Sequence, residues 1–374
     1  RNISFCGKGM IIEHVKSILK PHDSWIRSIA VHPSGKFFVT ACSNVIYFFD
    51  FDYKVIDVFT GHTANIRTLY FSKVHPHHLY SAGEDRSICC WDLSQRKCIR
   101  RHTGHHSDIL CMKHHPALDI FITGSRDNSL RLWDPRTSYS FYELKGHSDA
   151  VTCLETMVSD PQIISGSEDS TIRTWDLRSL SKFDGGKCLS ILTHHRGTIT
   201  SLLGHKSIDK GVISRTLISA AADCVRKWSI SGNHCHDEGP LFKPVDIQPI
   251  MKDSKSGFSL TDVSHVPTEL RLLYPHAKQC VTDSESIVSH GLGEVNAMLY
   301  LDSDSLLTCH QNGSLHISDV SSGRTLGLFE PPTEKTIFKE SRCSILSMVH
   351  FKDIILTGHM DNTVKIHKVI LSEK

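Results

Sequence analysis

Long apolar runs are missing from this chain, and no stretch reaches the length that spans a bilayer. No basic-then-apolar secretory leader is visible. Arg1 opens the sequence where a methionine would be expected, which leaves room for an upstream segment. An excess of one charge is also lacking: 42 lysines and arginines face 40 acids, for a net charge of +2. No global field therefore draws the chain onto nucleic acid or membrane. None of the thirteen cysteines falls into a paired-cysteine metal spacing, and 374 residues need no disulfide framework. They sit in strand-like runs such as Ser87-Ile88-Cys89-Cys90-Trp91, which reads as buried, reduced thiols of the cytosol or nucleus. Hydrophobic content of 39% with 22% charge is that of an ordinary globular chain. Tryptophan is scarce, with five residues, and its spacing carries the information.

Gly61-His62 is followed by Trp91-Asp92, Gly104-His105 by Trp133-Asp134, and Gly146-His147 by Trp175-Asp176. The tryptophans stand 42 residues apart, and the same interval separates Phe49-Asp50 from Trp91-Asp92. A period of about 40–45 residues, glycine-histidine early and tryptophan-aspartate late, resembles the WD-repeat β-propellers. The fold this implies is all-β, a seven-bladed propeller in which each four-stranded blade stacks on its neighbours. The blades are expected at about 22–58, 62–101, 105–145, 147–192, 195–236, 290–329 and 340–370. A strand over 14–20, preceded by a segment 1–13, is expected to complete blade 7 and leave no open edge.

Aligned on the tryptophans, a hydroxyl recurs ten residues earlier and an aspartate six residues earlier. The sets are His62, Ser81, Asp85, Trp91; His105, Thr123, Asp127, Trp133; and His147, Ser165, Asp169, Trp175. Blade 5 carries His195, Ser219, Asp223 and Trp228 with one residue fewer in the turn. The expected chemistry is a buried relay: aspartate accepts from histidine, histidine meets the hydroxyl, and the hydroxyl accepts the indole N–H. Each bond contributes about 1 kcal/mol net, and orphaning a buried member costs about 1–3 kcal/mol. A hydrolase triad uses the same residue types, but a set that repeats per blade and ends on tryptophan reads as structural.

The remaining blades are degenerate. Blade 1 opens at His22, with Ser43 at the turn-aspartate place and Phe49 for tryptophan. Blade 6 carries Asn312, Ser318 and Asp319, with Ser289-His290 as its nearest opening pair. Blade 7 keeps Asp361, has His367 in the tryptophan slot, and shows no opening histidine. Trp228 and Ser318 are 90 residues apart, about two repeats, so residues 237–289 form a long insertion with five prolines. Its apolar patch Leu270, Leu272, Leu273, Tyr274 either docks a partner or packs on the propeller side.

A closer resemblance rests on His22-Asp23-Ser24-Trp25-Ile26-Arg27-Ser28-Ile29-Ala30-Val31, Ser81-Ala82-Gly83-Glu84-Asp85, Cys90-Trp91-Asp92-Leu93 and Cys98-Ile99-Arg100-Arg101. It continues through His115-Pro116-Ala117-Leu118-Asp119, Ser125-Arg126-Asp127-Asn128-Ser129, Asp160-Pro161-Gln162-Ile163-Ile164-Ser165-Gly166-Ser167 and Leu192-Thr193-His194-His195. In order and spacing the chain is similar to the spliceosomal pleiotropic regulator family, components associated with the complex of pre-mRNA splicing factor nineteen. The likeness runs over about 14–230, is looser over 290–370, and skips the insertion. It implies a nuclear, non-catalytic scaffold of the activated spliceosome. The implied partners are the Myb-like cell-division-cycle-five protein and other nineteen-related components, with small nuclear RNAs mainly indirect. An adaptor or substrate receptor of a ubiquitin ligase would share the fold, and the extended match over blades 1–5 separates the two. A propeller enzyme would need unrepeated acid, base or metal ligands at the channel mouth, and the sequence offers none outside the repeating sets.

Propellers take peptides at the mouth of the central channel, from residues at the start of each inner strand and just before each turn aspartate. In this register those are Trp25, Arg27, Asn65, Arg67, Glu84, Asp108, Arg126 and Glu168. An exposed tryptophan among arginines is the composition of a binding hot spot. Arg96, Lys97, Arg100 and Arg101 form the densest basic stretch, either a local phosphate contact or a solvated strand end. The histidines near turns, His75, His77, His78, His102, His105, His106, His114 and His115, show no zinc-ligand spacing. No cofactor, small-molecule substrate or membrane partner is expected.

Overall fold

The second strands of the blades are heavily buried: Phe37–Cys42, His78–Gly83 and Ile120–Ser125 each hide five of six residues. Such near-continuous burial requires cover on both faces, whereas outer strands alternate, as Lys97–Thr103 does. The computed structural model describes residues 4–5, 10–18, 21–72, 74–115, 118–156, 162–179, 188–209, 212–231, 234–241, 294–302, 304–329 and 344–371.

Seven antiparallel sheets repeat one pattern: in six of them four strands follow chain order, and in the seventh Ile345–Phe351, Ile354–His359 and Val364–Leu371 do so. The blades span 26–60, 66–103, 109–144, 151–192, 199–240, 295–329 and 345–371. Each inner strand packs on the next, and Ile345–Phe351 of blade 7 packs on Ile26–Val31 of blade 1, which closes the ring. Among the described residues the one helical turn is the 3-10 segment Leu177–Ser179. No helix of the described residues is long and apolar enough to cross a membrane.

The buried apolar side chains fall into seven clusters, each astride one pair of neighbouring blades. Between blades 3 and 4, for example, Ile122, Leu130, Leu132 and Leu144 meet Val151, Leu154, Ile163 and Trp175. No blade owns a core of its own, so stability is shared around the ring.

Three details depart from the sequence expectation. The strand expected over 14–20 runs Met10–Ile18, and it pairs antiparallel with Val364–Leu371 as the fourth strand of blade 7. Ser4–Phe5 adds a fifth strand to blade 6, paired with Leu328 and Gly327. The insertion expected from 237 starts later, because His234–Pro240 is the outer strand of blade 5. Leu241 still donates its N–H to Val225 and lies buried against the core between blades 5 and 6. The rest of the insertion, with Leu270, Leu272, Leu273 and Tyr274, lies outside the described residues.

Candidate functional site

In four blades the predicted sets close into hydrogen-bonded chains. His62 Nδ1 lies 2.7 Å from Asp85, its Nε2 2.6 Å from the Ser81 hydroxyl, and Trp91 Nε1 donates to that hydroxyl at 2.7 Å. His105, Thr123, Asp127 and Trp133 repeat this at 2.7–2.8 Å. His147, Ser165, Asp169 and Trp175 do so at 2.8–2.9 Å. His195, Ser219, Asp223 and Trp228 do so at 2.7–2.8 Å. The network assigns the protons: the hydroxyl accepts from the indole, donates to Nε2, and leaves Nδ1–H for the carboxylate.

Burial opposes ionisation of these aspartates, yet it is outweighed by bonds from histidine and backbone N–H, joined at Asp85, Asp127 and Asp169 by a hydroxyl. Asp85 and Asp127 are held well below the usual carboxylate range, and Asp169 and Asp223 are lowered to about 2. Burial also pushes His105 and His147 down, against the pull of their aspartates. All four hydroxyl residues have 0% exposure, so no substrate reaches them. Among the described residues, His195, Asp223 and Cys224 are the one trio with metal-ligand atoms close together. Both ring nitrogens of His195 are already committed to Asp223 and Ser219.

The degenerate blades solve the same problem differently. In blade 1, His22 Nε2 meets Thr40 at 2.8 Å, but its Nδ1 is buried without a partner. Ser43 is not the aspartate equivalent: Ala41 pairs with Ile46, as Ala220 pairs with Val225 in blade 5, which aligns Asn44 with Asp223. The Asn44 amide donates instead to the His62 carbonyl of blade 2. Blades 6 and 7 use a histidine that the sequence reading missed, two residues after the strand threonine. Thr308 meets His310 at 3.1 Å, and Thr357 meets His359 at 2.8 Å and His367 at 3.2 Å. The shared Thr-x-His spacing was its signal. His290 lies outside the described residues.

Every inner strand carries a bulge at its second residue. The register skips at Arg27, Arg67, Leu110, Thr152, Thr200, Asn296 and Leu346. An extra residue re-aims its side chain. In blades 4, 5 and 6 that side chain bolts blade to blade: Thr152 donates to the Ile199 carbonyl, Thr200 to Val295, and Asn296 to Ile345. In blades 1 and 2 arginines stand there instead.

The predicted rim residues come together pairwise, because the N–H before each turn aspartate donates to the carbonyl before the inner strand. Glu84 is tied to Asn65, Arg126 to Asp108 and Glu168 to Ala150, each at 2.9 Å. Gly83 permits the first approach, since a Cβ there would lie 2.2 Å from the Asn65 carbonyl oxygen. Glu84 accepts the Asn65 amide at 2.7 Å on one oxygen, and its other oxygen forms an ion pair with Arg67, 2.8 Å from Nε. Asp108 and Arg126 stand 3.8 Å apart, a loose pair of a half-buried carboxylate with an exposed guanidinium, and Glu168 is exposed. Trp25 is 41% exposed, with the Arg27 guanidinium 4.9 Å over its ring. Trp25, Arg27, Asn65, Arg67 and Glu84 thus form one sector at blades 1 and 2. Asp108, Arg126 and Glu168 lie on blades 3 and 4.

The basic stretch is not a common patch. Arg96 pairs with Asp57 at 3.3 Å, Arg100 donates to the Pro135 carbonyl, and Arg101 donates to the Gly61 carbonyl and the Ser87 hydroxyl. Lys97 is exposed.

Comparison with known proteins places these observations. Residues 13–50, 53–92, 96–134 and 138–176 match the family model described as WD domain, G-beta repeat. Each segment runs from the outer strand of one blade through the third strand of the next. Over 84 residues the chain is 39% identical to pre-mRNA-splicing factor PRP46 of Candida albicans, covering 22% of this chain and 21% of that protein. It is 41% identical over 49 residues to nuclear distribution protein PAC1 of Eremothecium gossypii, covering 13% and 10%. It is 27% identical over 89 residues to PAC1 of Candida tropicalis, covering 23% and 18%. The chain thus matches about a fifth or less of the length of these relatives.

Proposed function

We propose that this chain, a seven-bladed propeller carrying WD repeats, is a non-catalytic nuclear scaffold that supports pre-mRNA splicing by holding partner proteins. The observation that carries the scaffold reading is the division of labour among its polar groups. The hydroxyl–histidine–aspartate sets are buried and bonded to tryptophan, while an indole and a guanidinium are presented at the channel mouth. The likeness to PRP46 supports the splicing assignment, because its identity is 39% over 84 residues, against 27% over 89 residues for PAC1 of Candida tropicalis. The partners in this reading are the Myb-like cell-division-cycle-five protein and other nineteen-related components. Small nuclear RNA would be met mainly through them, since Arg100 and Arg101 are spent on backbone carbonyls.

Affinity purification of the tagged chain from nuclear extract, with mass spectrometry and RNA sequencing, tests this. Recovery of U2, U5 and U6 small nuclear RNAs with nineteen-related proteins is the expected result. Recovery of cullin-type ligase subunits without those RNAs would replace it by the ligase-adaptor reading.

A further inference from the structure

The seven bulge residues of the inner strands are not chemically equivalent. Five are neutral, and three of those serve as bolts between blades. The two charged ones, Arg27 and Arg67, are in adjacent blades and concentrate positive charge in one sector of the mouth. Their surroundings differ. Arg67 is neutralised by Glu84, whose second oxygen is taken by Asn65. Arg27 has no carboxylate partner among the described residues and lies half-buried, stacked on the exposed Trp25 ring. Burial and the charge of Arg67 both press on the Arg27 guanidinium, with only partial relief from Glu84. A half-buried guanidinium without an anion is a costly arrangement that a bound anion would relieve.

Resting on the reading of this propeller as a partner-binding scaffold, we propose that the Trp25–Arg27–Arg67 sector captures an acidic peptide. One aspartate or glutamate carboxylate would bridge to the Arg27 guanidinium, and an adjacent apolar side chain would lie on the Trp25 indole. Charge balance selects the carboxylate. The sector holds one unneutralised guanidinium, and the Glu84 carboxylate beside it repels a doubly charged phosphate. Planar guanidinium and planar carboxylate also match in two parallel hydrogen bonds. The indole adds apolar area beside the ion pair and screens it from water.

The test uses the full chain and degenerate decapeptide libraries whose fixed central residue is glutamate, glutamine, phosphoserine or lysine, read by fluorescence polarisation. The glutamate library is expected to bind at least tenfold more tightly than the glutamine and phosphoserine libraries. R27Q is expected to erase that preference, R27K to retain part of it, and W25A to weaken binding of all libraries. Melting temperatures of the variants confirm that each is folded, and if R27Q is not, R27K and W25A carry the comparison. Equal binding of glutamate and glutamine, tighter binding of phosphoserine, or an intact preference in R27Q would overturn the acidic-peptide assignment. Nuclear-extract purification with R27Q separates this failure from failure of the scaffold reading. Splicing partners retained by R27Q leave the scaffold standing without this site, whereas none recovered by the unaltered chain removes the scaffold itself.

Discussion

The Arg101 guanidinium donates to the Gly61 carbonyl at 2.6 Å, reaching from the outer strand of blade 2 to the glycine that opens it. In blades 3 and 4 the matching space is filled from the third strand: a Cβ on Gly104 would meet Arg131, and one on Gly146 would meet Arg173. Those arginines lie two residues before Trp133 and Trp175, where blade 2 has Cys89. One cation beside the opening glycine is thus supplied from two different strands.

Removing it should destabilise the fold and spare binding. R101A is expected to cost about 1–2 kcal/mol in urea unfolding, from the lost bonds to the Gly61 carbonyl and the Ser87 hydroxyl. C89R in the same chain is expected to restore a large part. No recovery in the double variant would show that the two positions are not interchangeable.

The buried relays should behave as units. T123V keeps the shape at Thr123 but leaves both the His105 Nε2 and the Trp133 indole N–H without their partner. A loss of roughly 2–6 kcal/mol is expected, twice the cost of a single orphaned group. Denaturant titration measures it, and a loss below about 0.5 kcal/mol would remove the relay as a stabilising element.

Acid should weaken the propeller through buried histidines that lack a carboxylate partner. Burial lowers His22 and His102 to about 4, and lowers His367 to about 3 with help from His14, His359 and Lys365. A folded value below the unfolded 6.5 means that the unfolded chain binds more protons. Stability is therefore full above pH 6.5 and declines as pH falls toward 4–3, by about 2 kcal/mol per histidine at pH 5. His14 pairs directly with His367 in the strand that closes the ring, so loss of the closing strand should appear early. H367Q is expected to flatten the decline, read from unfolding curves between pH 7 and 4.

Partner capture should depend on one exposed side chain. W25A with R67E is expected to abolish capture of nuclear partners, while W25A alone shifts the melting temperature by no more than about 1 °C. R67E also places a carboxylate against Glu84, which reverses the charge of that half of the mouth. Undiminished capture by the double variant would move the binding site elsewhere on the ring.

The period of 42 residues, the tryptophans and the four complete relays were legible in the sequence, because each relay is spelled by fixed offsets within one repeat. Blade 1 was misread at Ser43 because one residue is missing from its turn, and only strand register shows that Asn44 holds the aspartate place. His310 and His359 were overlooked because they approach the threonine from its own strand, outside the offsets that define the repeat. At the mouth the sequence supplied Trp25, Arg27 and Arg67 but not their aim. That aim depends on a bulge in the pairing of two strands and, for Arg67, on a glutamate brought in by a turn seventeen residues away. Local spacing determined the blades and their internal bonds. Register between strands and contact between blades decided that Arg67 is paired with Glu84, while Arg27, among the described residues, stacks on Trp25 without a carboxylate partner.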